Sequence, residues 1–366
     1  MVLRGLDGSN PLGFLAAIGL LAVVSATESI EVRMGWTEEE AWHPFLLVKP
    51  DAWADRLPEI LLKELKANMP TSKEAPDEAR LRDEFLEATR RLKAVPWGTK
   101  KRETAPEERE LLASLQAEVE SKRTAWLSIR KNLVSSPELA LGDTVAVPAE
   151  EFRLHAFELA SFAALRNRSS IDMISNFGCD ACKEEKSGII ETTPFCFITG
   201  SGHQYFLKTA NDLLNKIDEE RIRKCLYEPW AYEDEQLSMR WDPSEDRRYA
   251  LMWNNPSVEK GKTVWAANIL AYRGLQLLPS VIEEGHLATT GFTKIEGKQF
   301  FTWPIWRPAL ALDTVRSVLS IKELRDRSPD REKLGKMEIA EIFRSERIKV
   351  GLRSQYKTNF SQAGPV

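Results

Sequence analysis

The chain has 366 residues, of which 43% are hydrophobic and 29% are charged, and its formal net charge is −4. These values are typical of a soluble globular protein with two or three domains. They exclude a general attraction to nucleic acid or acidic lipid, so any such binding must come from local patches. Four cysteines in a chain of this length predict reduced thiols and a cytoplasmic location.

The first predicted element is a helix that begins at Asn10 and Pro11, two residue types that favour a helix start. Residues 12–27 carry no charge. The apolar run is nevertheless shorter than the roughly 20 residues of a membrane span, and no basic segment of a signal peptide precedes it. Gly13 and Gly19 allow another backbone to approach closely. The sequence therefore predicts a helix buried on nearly all faces inside a soluble body, with no membrane association.

Changes in composition divide the chain into four segments. The predicted fold is helix-rich α+β, a mixed α/β body with a projecting charged helical hairpin and a late β-hairpin. In chain order, the segments are the first part of the body with the buried helix (1–58), the charged helical hairpin insertion (59–136), the main α+β body (137–353) and a flexible tail (354–366).

Local patterns predict the individual elements of these segments. Alternating polarity at 30–36 predicts a strand. Three prolines between 44 and 58 predict that the chain after this strand is broken into short elements. The charged segment contains helical patterns at 77–94 and at about 106–134. The main body is predicted to contain a buried helix at 152–165 and further helices at 204–217, 263–278 and 313–324. It is also predicted to contain a strand at 192–199, strand-like stretches at 339–350, and a β-hairpin of 287–292 and 299–303.

Common catalytic signatures are absent from the sequence, including the P-loop, the dinucleotide-binding glycine pattern, the serine elbow and the zinc-protease motif. Cys179 and Cys182 form a CxxC pair, which is half of a typical zinc site. Cys196, Cys225 and His203 are further candidate ligands, although buried or free thiols explain the same residues. The sequence predicts no catalytic residue, bound metal or cofactor. A metal-dependent nuclease or zinc-containing enzyme is the alternative.

Two predicted loops carry clustered cations. Lysine and arginine at exposed loops bind phosphates and release counterions, although a solvated tip or a positively charged helix end has the same composition. The candidate residues are Lys100, Lys101 and Arg102 between the two charged helices, and Arg166, Asn167 and Arg168 after an apolar helix.

A glycine-flanked loop at 200–208 leads into a predicted helix and carries His203, Gln204 and Lys208. The free N–H groups at the start of a helix bind anions such as phosphate. The alternative is that the glycines only separate a loop from a helix. These three residues are candidate nucleic-acid contacts.

Paired charges surround aromatic residues at 240–251, where Arg240, Arg247 and Arg248 are the candidate contacts. Guanidinium groups match carboxylates as well as phosphates, so this segment is either a contact for RNA or a partner, or an internal ion-pair network. The last part of the chain is also basic, with 12 Lys or Arg against 7 Asp or Glu from 316 to 357.

Five segments together resemble the large-subunit proteins of type I-G (also called I-U) CRISPR surveillance complexes. The first of them, with its N-P-x-G-F-x-A-x-x-G-L-L pattern, carries most of the resemblance. The resemblance extends over most of the chain apart from the charged helices. The segments are LRGLDGSNPLGFLAAIGLL, TPFCFITGSGHQYFLKTANDL, RWDPSEDRRYAL, LATTGF and FFTWPIWRP.

The resemblance implies a subunit at one end of the guide-RNA-bound assembly called Cascade. Such subunits contact the protospacer-adjacent motif (PAM) in target double-stranded DNA, help to open the duplex and dock a helicase–nuclease, without being catalytic themselves. Guide pairing reads the target, while the protein reads a short duplex motif and the backbone. The implied partners are guide RNA, target DNA, other Cascade subunits and the helicase–nuclease. The remaining alternative is a structural scaffold whose helical hairpin binds a partner protein.

Overall fold

The structure is a computed structural model that describes residues 1–67, 76–95, 106–130, 134–163, 168–200, 204–245, 261–350 and 357–366. The chain divides into two compact units, one formed by Met1–Ala67 with Asp143–Val366 and the other by Asn68–Gly142. Long helices and small antiparallel sheets alternate along it, which confirms the predicted mixed, helix-rich α+β fold.

The elements are numbered in chain order within the described residues. The helices are α1 Pro11–Ser25, α2 Leu57–Leu65, α3 Pro76–Ala94, α4 Pro106–Arg130, α5 Ala149–Ala163, α6 Ser169–Phe177, α7 Phe206–Lys216, α8 Glu219–Tyr227, α9 Trp265–Gly274, α10 Leu312–Leu319 and α11 Arg331–Gly335. The strands are β1 Glu31–Glu38, β2 Trp42–Lys49, β3 Gly178–Lys183, β4 Ile190–Thr192, β5 Asp234–Glu235, β6 Lys262–Thr263, β7 Ser280–Glu283, β8 His286–Thr289, β9 Phe292–Ile295, β10 Lys298–Trp306, β11 Ile339–Val350, β12 Lys357–Phe360 and β13 Gly364–Pro365.

Helix α1 is the centre of the first unit and is buried from Pro11 to Val24, as the uncharged run predicts. The Asn10 side chain caps it by accepting a hydrogen bond of 2.8 Å from the Leu12 N–H. Gly19 lies against the backbone of α9, where a Cβ atom would come within 1.7 Å of the Leu270 carbonyl oxygen. The two helices therefore pack backbone to backbone, and no side chain separates them.

The main sheet has the order β12-β11-β10-β9, with β13 also paired to β11, and its neighbouring strands are antiparallel. Its core face meets α1 and β1 through a cluster of aromatic rings. The Phe14 centroid lies 5.8 Å from those of Trp36 and Trp303 and 6.4 Å from that of Trp306. Two indole N–H groups in this cluster are satisfied by backbone carbonyls, since Trp303 donates to Gly8 and Trp306 to Met34. The indole N–H of Trp36, the third tryptophan of the cluster, is buried without a hydrogen-bond partner among the described residues.

The second unit contains α3 and α4 with a small core of its own. The rings of Phe85 and Trp126 stack with their centroids 5.4 Å apart. Ion pairs join the exposed faces of the two helices, including one of 2.6 Å between Lys122 and Glu84. The two predicted charged helices are therefore confirmed, and the compact unit extends to Gly142.

Four predicted elements differ from the structure. The β-hairpin predicted from 287–292 and 299–303 is shifted along the chain, because β10 pairs with β9 whereas β8 pairs with β7. Residues 193–198 are not a strand, because the chain turns there and the Cys196 N–H donates to the Thr193 carbonyl oxygen. The helix predicted at 152–165 is only partly buried, since α5 leaves Leu154 and Phe157 exposed. The predicted flexible tail instead forms β12 and β13 from residue 357 onward, because both strands find hydrogen-bond partners on β11.

Candidate nucleic-acid interface

The segment between α8 and residue 245 has an unusual backbone. Four of its non-glycine residues have positive φ, namely Tyr232 (52°), Gln236 (63°), Leu237 (50°) and Arg240 (64°). Such conformations cost on the order of 1–3 kcal/mol each and persist only where the surroundings impose them. The surroundings are hydrogen bonds to five other parts of the chain, at residues 10, 195, 204, 221 and 263–265.

Trp241 and Asp234 anchor the two ends of this segment. Trp241 is fully buried, and its indole N–H donates to the Phe195 carbonyl over 3.0 Å. The Asp234 carboxylate accepts from the Trp265 backbone N–H over 2.8 Å and from Arg221 Nε over 2.9 Å. The Arg221 guanidinium in turn lies 5.0 Å from the centre of the Trp265 ring. These contacts fix the segment against the start of α9.

Asp242 joins the segment to the start of α1. Its carboxylate accepts hydrogen bonds from Asn10 Nδ2 (3.2 Å), the Tyr232 hydroxyl (2.8 Å) and the Ser244 N–H (2.9 Å). Burial, followed by the nearby Asp242 charge, raises the pKa of Tyr232, so this hydroxyl stays a donor. Asp242 is therefore a structural carboxylate, and both of its oxygens accept hydrogen bonds from inside the protein.

Arg240 and Gln204 meet in the same region, although they come from two separate sequence motifs. Arg240 Nη2 donates to Gln204 Oε1 over 3.0 Å. Partial burial lowers the pKa of Arg240, and the nearby Glu245 charge opposes that effect. A guanidinium group has five N–H donors, so this bond leaves several for another acceptor.

Glu245 lies beside Arg240 and ends the described part of this segment. Its carboxyl group accepts hydrogen bonds from the hydroxyls of Ser238 and of Thr263, the latter over 3.3 Å. Burial is the largest cause of a rise in the pKa of Glu245 from 4.5 to about 7. The Glu245 carboxyl group therefore ionises near neutral pH, next to the Arg240 guanidinium.

We expect Glu245 to make the protein less stable as the pH rises from about 4.5 to about 7. In that window the unfolded chain ionises while the folded protein still holds the proton, so the free energy of unfolding falls by up to about 1.4 kcal/mol per pH unit. Glu245→Gln should remove this slope, as measured by urea denaturation at several pH values. The exposed Glu332→Gln variant should keep it, and an unchanged slope in Glu245→Gln would contradict the assignment.

Two other predicted contacts, Arg168 and Lys208, are also among the described residues. Arg168 precedes α6 with 76% of its side chain exposed, and its Nε lies 3.2 Å from the Asp172 carboxylate. Lys208, in the first turn of α7, pairs with Asp212 at 2.7 Å. Each cation pairs with a carboxylate four residues further along the chain. Both pairs are only partly buried, and such pairs are weak enough to leave the cation available to a stronger anion.

The remaining predicted contacts lie outside the described residues. They are Lys100, Lys101, Arg102, Arg166, Asn167, His203, Arg247 and Arg248.

The cysteines do not assemble a metal site in the described part of the chain, where no three His, Cys, Asp or Glu side chains are close enough to hold one ion. Cys196 and Cys225 are both buried, and burial raises the pKa of the Cys196 thiol to about 12. Such thiols are protonated at neutral pH and are poor nucleophiles and ligands. His203, the other candidate ligand, lies outside the described residues.

The hydrogen bond between the side chains of Asn10 and Asp242 was not predicted from the sequence. Asn10 was recognisable as a helix cap, which uses its Oδ1 atom. The same cap leaves the Nδ2 donor free, and a buried donor needs an acceptor. That requirement predicts that Nδ2 has an acceptor, but it does not identify the acceptor as Asp242, which is 232 residues away.

Comparison with models of known protein families and with curated protein sequences finds no match. Among the described residues, no helix combines the length and the apolar character that a membrane span requires.

Proposed function

We propose that this protein is a non-catalytic large subunit of a type I CRISPR interference complex in the cytoplasm. It binds guide RNA and PAM-proximal duplex DNA beside the other Cascade subunits, and it docks the helicase–nuclease. The observation that carries the proposal is the contact between Arg240 and Gln204. Arg240 and Gln204 come from two separate segments, and each segment was identified from the sequence as a candidate nucleic-acid contact.

The chemistry of this contact suits a phosphate. Gln204 orients the guanidinium of Arg240 through one N–H, and the others match the oxygens of a phosphodiester. Glu245 gains negative charge above a pH of about 7, which opposes phosphate binding. Binding through Arg240 is therefore expected to weaken as the pH rises through neutrality.

The five segments that carry the family resemblance also support the proposal, because they pack against each other. Asn10 bonds to Asp242, and Trp303 bonds to Gly8. The ring of Phe195 lies 5.1 Å from that of Phe301 and 4.8 Å from that of Phe292. A resemblance confined to unrelated surface loops would not have this property. The shared pattern therefore corresponds to one structural core, with Arg240 and Gln204 at its polar edge.

We expect Arg240→Asn to weaken nucleic-acid binding by about tenfold, the usual consequence of losing one charge-assisted hydrogen bond. Asparagine tolerates the positive φ of this position, so the backbone is spared. Fluorescence anisotropy with labelled guide RNA and PAM-containing duplex should also give a salt slope that is smaller by about one. Arg223→Asn is the matched control, because Arg223 is an exposed helical arginine paired with Glu219.

The assembly itself is tested by co-expression with the guide RNA and the other subunits. The proposal requires the chain to purify with both. A chain that stays free of RNA and of the other subunits contradicts it, and so does DNA cleavage by the isolated chain. If the complex assembles and the Arg240→Asn variant binds nucleic acid as tightly as the unaltered protein, Arg240 belongs to the structural network. That result would favour a scaffold role.

A further inference from the structure

A cleft of about 780 Å³ lies on the first unit, and neither Arg240 nor Gln204 lines it. It is lined by the end of β4, the turn and second strand of the β7–β8 hairpin, and one end of the main sheet. Its volume is in the range of small-molecule and nucleotide sites. The lining is mostly polar, with threonine hydroxyls, three carboxylates and several cations.

A row of polar side chains crosses the end of the main sheet and lines this cleft. Lys294 on β9 pairs with Gln299 on β10, and Arg347 Nη1 on β11 donates to Gln299 Oε1 over 3.1 Å. Neighbouring residues on a strand face opposite sides. Lys298 accordingly pairs with Glu346 at 3.1 Å and is not among the residues that line the cleft.

Arg347 is the most unusual member of this row. Its guanidinium lies 5.3 Å from the centre of the Phe197 ring, and burial lowers its pKa. Its Nε atom is buried, and no described residue accepts a hydrogen bond from it. A buried N–H of a charged group without a partner is costly, so it calls for an acceptor.

The carboxylates of the cleft are largely occupied by the protein itself. Glu191 accepts from the Leu287 N–H over 3.0 Å and faces His286 Nδ1 at 3.5 Å. Glu283 lies 3.9 Å from Arg325. Lys294, by contrast, has no carboxylate partner among the residues that the structure describes. The end of the cleft formed by Lys294 and Arg347 is therefore positive and open to an anion.

We propose that the Arg347 guanidinium and the Lys294 ammonium group bind a phosphate in this cleft. The phosphate is either a phosphodiester of a nucleic-acid strand or the phosphate of a free nucleotide. The first source rests on the proposed nucleic-acid function, and the second does not. A planar guanidinium fork matches two phosphate oxygens, and the Thr192 and Thr293 hydroxyls that line the cleft are further donors.

The test compares Lys294→Gln and Arg347→Gln with Lys298→Gln. The control removes the same charge from the same hairpin, on the opposite face. Each full-length protein is titrated with a labelled single-stranded decanucleotide by anisotropy and with adenosine monophosphate by calorimetry. The two cleft variants should weaken at least one probe by about tenfold, with Lys298→Gln within about twofold of the unaltered protein. For the decanucleotide, the salt slope should also fall by about 0.7.

A loss for the decanucleotide alone identifies the phosphodiester as the source, and a loss for the mononucleotide identifies a free nucleotide. If Arg347→Gln lowers the melting temperature sharply, the exposed Lys294→Gln variant decides alone. The cleft proposal is overturned if neither probe binds, or if Lys294→Gln and Lys298→Gln have equal effects. Loss of RNA binding in Arg240→Asn with no effect of Lys294→Gln would overturn the cleft site and leave the proposed function standing.

Discussion

Gly19→Ala should destabilise the protein by about 3 kcal/mol or more, although alanine is the better helix former by about 1 kcal/mol. The added Cβ atom would lie 1.7 Å from the Leu270 carbonyl oxygen and 2.7 Å from the Gly274 nitrogen. Both are backbone atoms, so no side chain can move aside. The two helices must separate, and the packing along both of them loosens. Urea denaturation measures the effect as a shift of the midpoint.

Gly335→Ala is the matched control for this prediction. Gly335 ends α11, and a Cβ atom there would have no atom within 4 Å. The same substitution should therefore leave stability unchanged or raise it slightly. Equal denaturation midpoints for the two variants would show that α1 and α9 do not pack backbone to backbone.

Phe14→Ala should lower the free energy of unfolding by about 3–5 kcal/mol, the usual cost of deleting a buried aromatic ring. The Phe14 side chain is completely buried, and its ring packs against those of Trp36, Trp303 and Trp306. Three indoles then border the empty volume and lose their contacts on one side. Denaturation followed by tryptophan fluorescence should show both the lower midpoint and an altered native spectrum.

Phe157→Ala makes the same change where it should cost little. Phe157 lies on α5 with 71% of its surface exposed. We expect its effect to stay within about 0.5 kcal/mol, with the native spectrum unchanged. If Phe14→Ala cost no more than Phe157→Ala, the aromatic cluster would not be the core of the first unit.

The predictable parts of the fold are those that local chemistry determines. The uncharged run after Asn10 favours a buried helix, and the strand-like stretches at 339–350 favour a strand; the structure has both. Local chemistry does not determine which other element each of them packs against. Gly19 indicates that a backbone approaches closely, but nothing nearby in sequence names α9, which lies about 250 residues away.

The errors have physical causes of their own. Residues 193–198 are as apolar as a buried strand, and apolar character alone does not separate a buried strand from a buried coil. The end of the chain reads as polar and loose because its order comes from pairing with β11, a long-range contact. In both cases tertiary contacts decide the local structure.

The candidate interface was only partly predictable for a similar reason. Arg240 and Gln204 were each identifiable as polar residues beside loops, but their contact depends on how two distant segments fold. The cleft was even less predictable from the sequence than the contact between Arg240 and Gln204. Alternation places Arg347 on the same face of β11 as Phe343, and a cation among core-facing positions was the one available indication.

The close contact of α1 with α9 has a consequence for synthesis on the ribosome. At about 5–20 residues per second, roughly 10–50 s pass between the emergence of α1 and that of its partner. During that time the face of α1 that packs against α9 is uncovered and prone to aggregate. The nascent chain should therefore depend on a chaperone until α9 has been made, and expression at low chaperone levels should yield inclusion bodies.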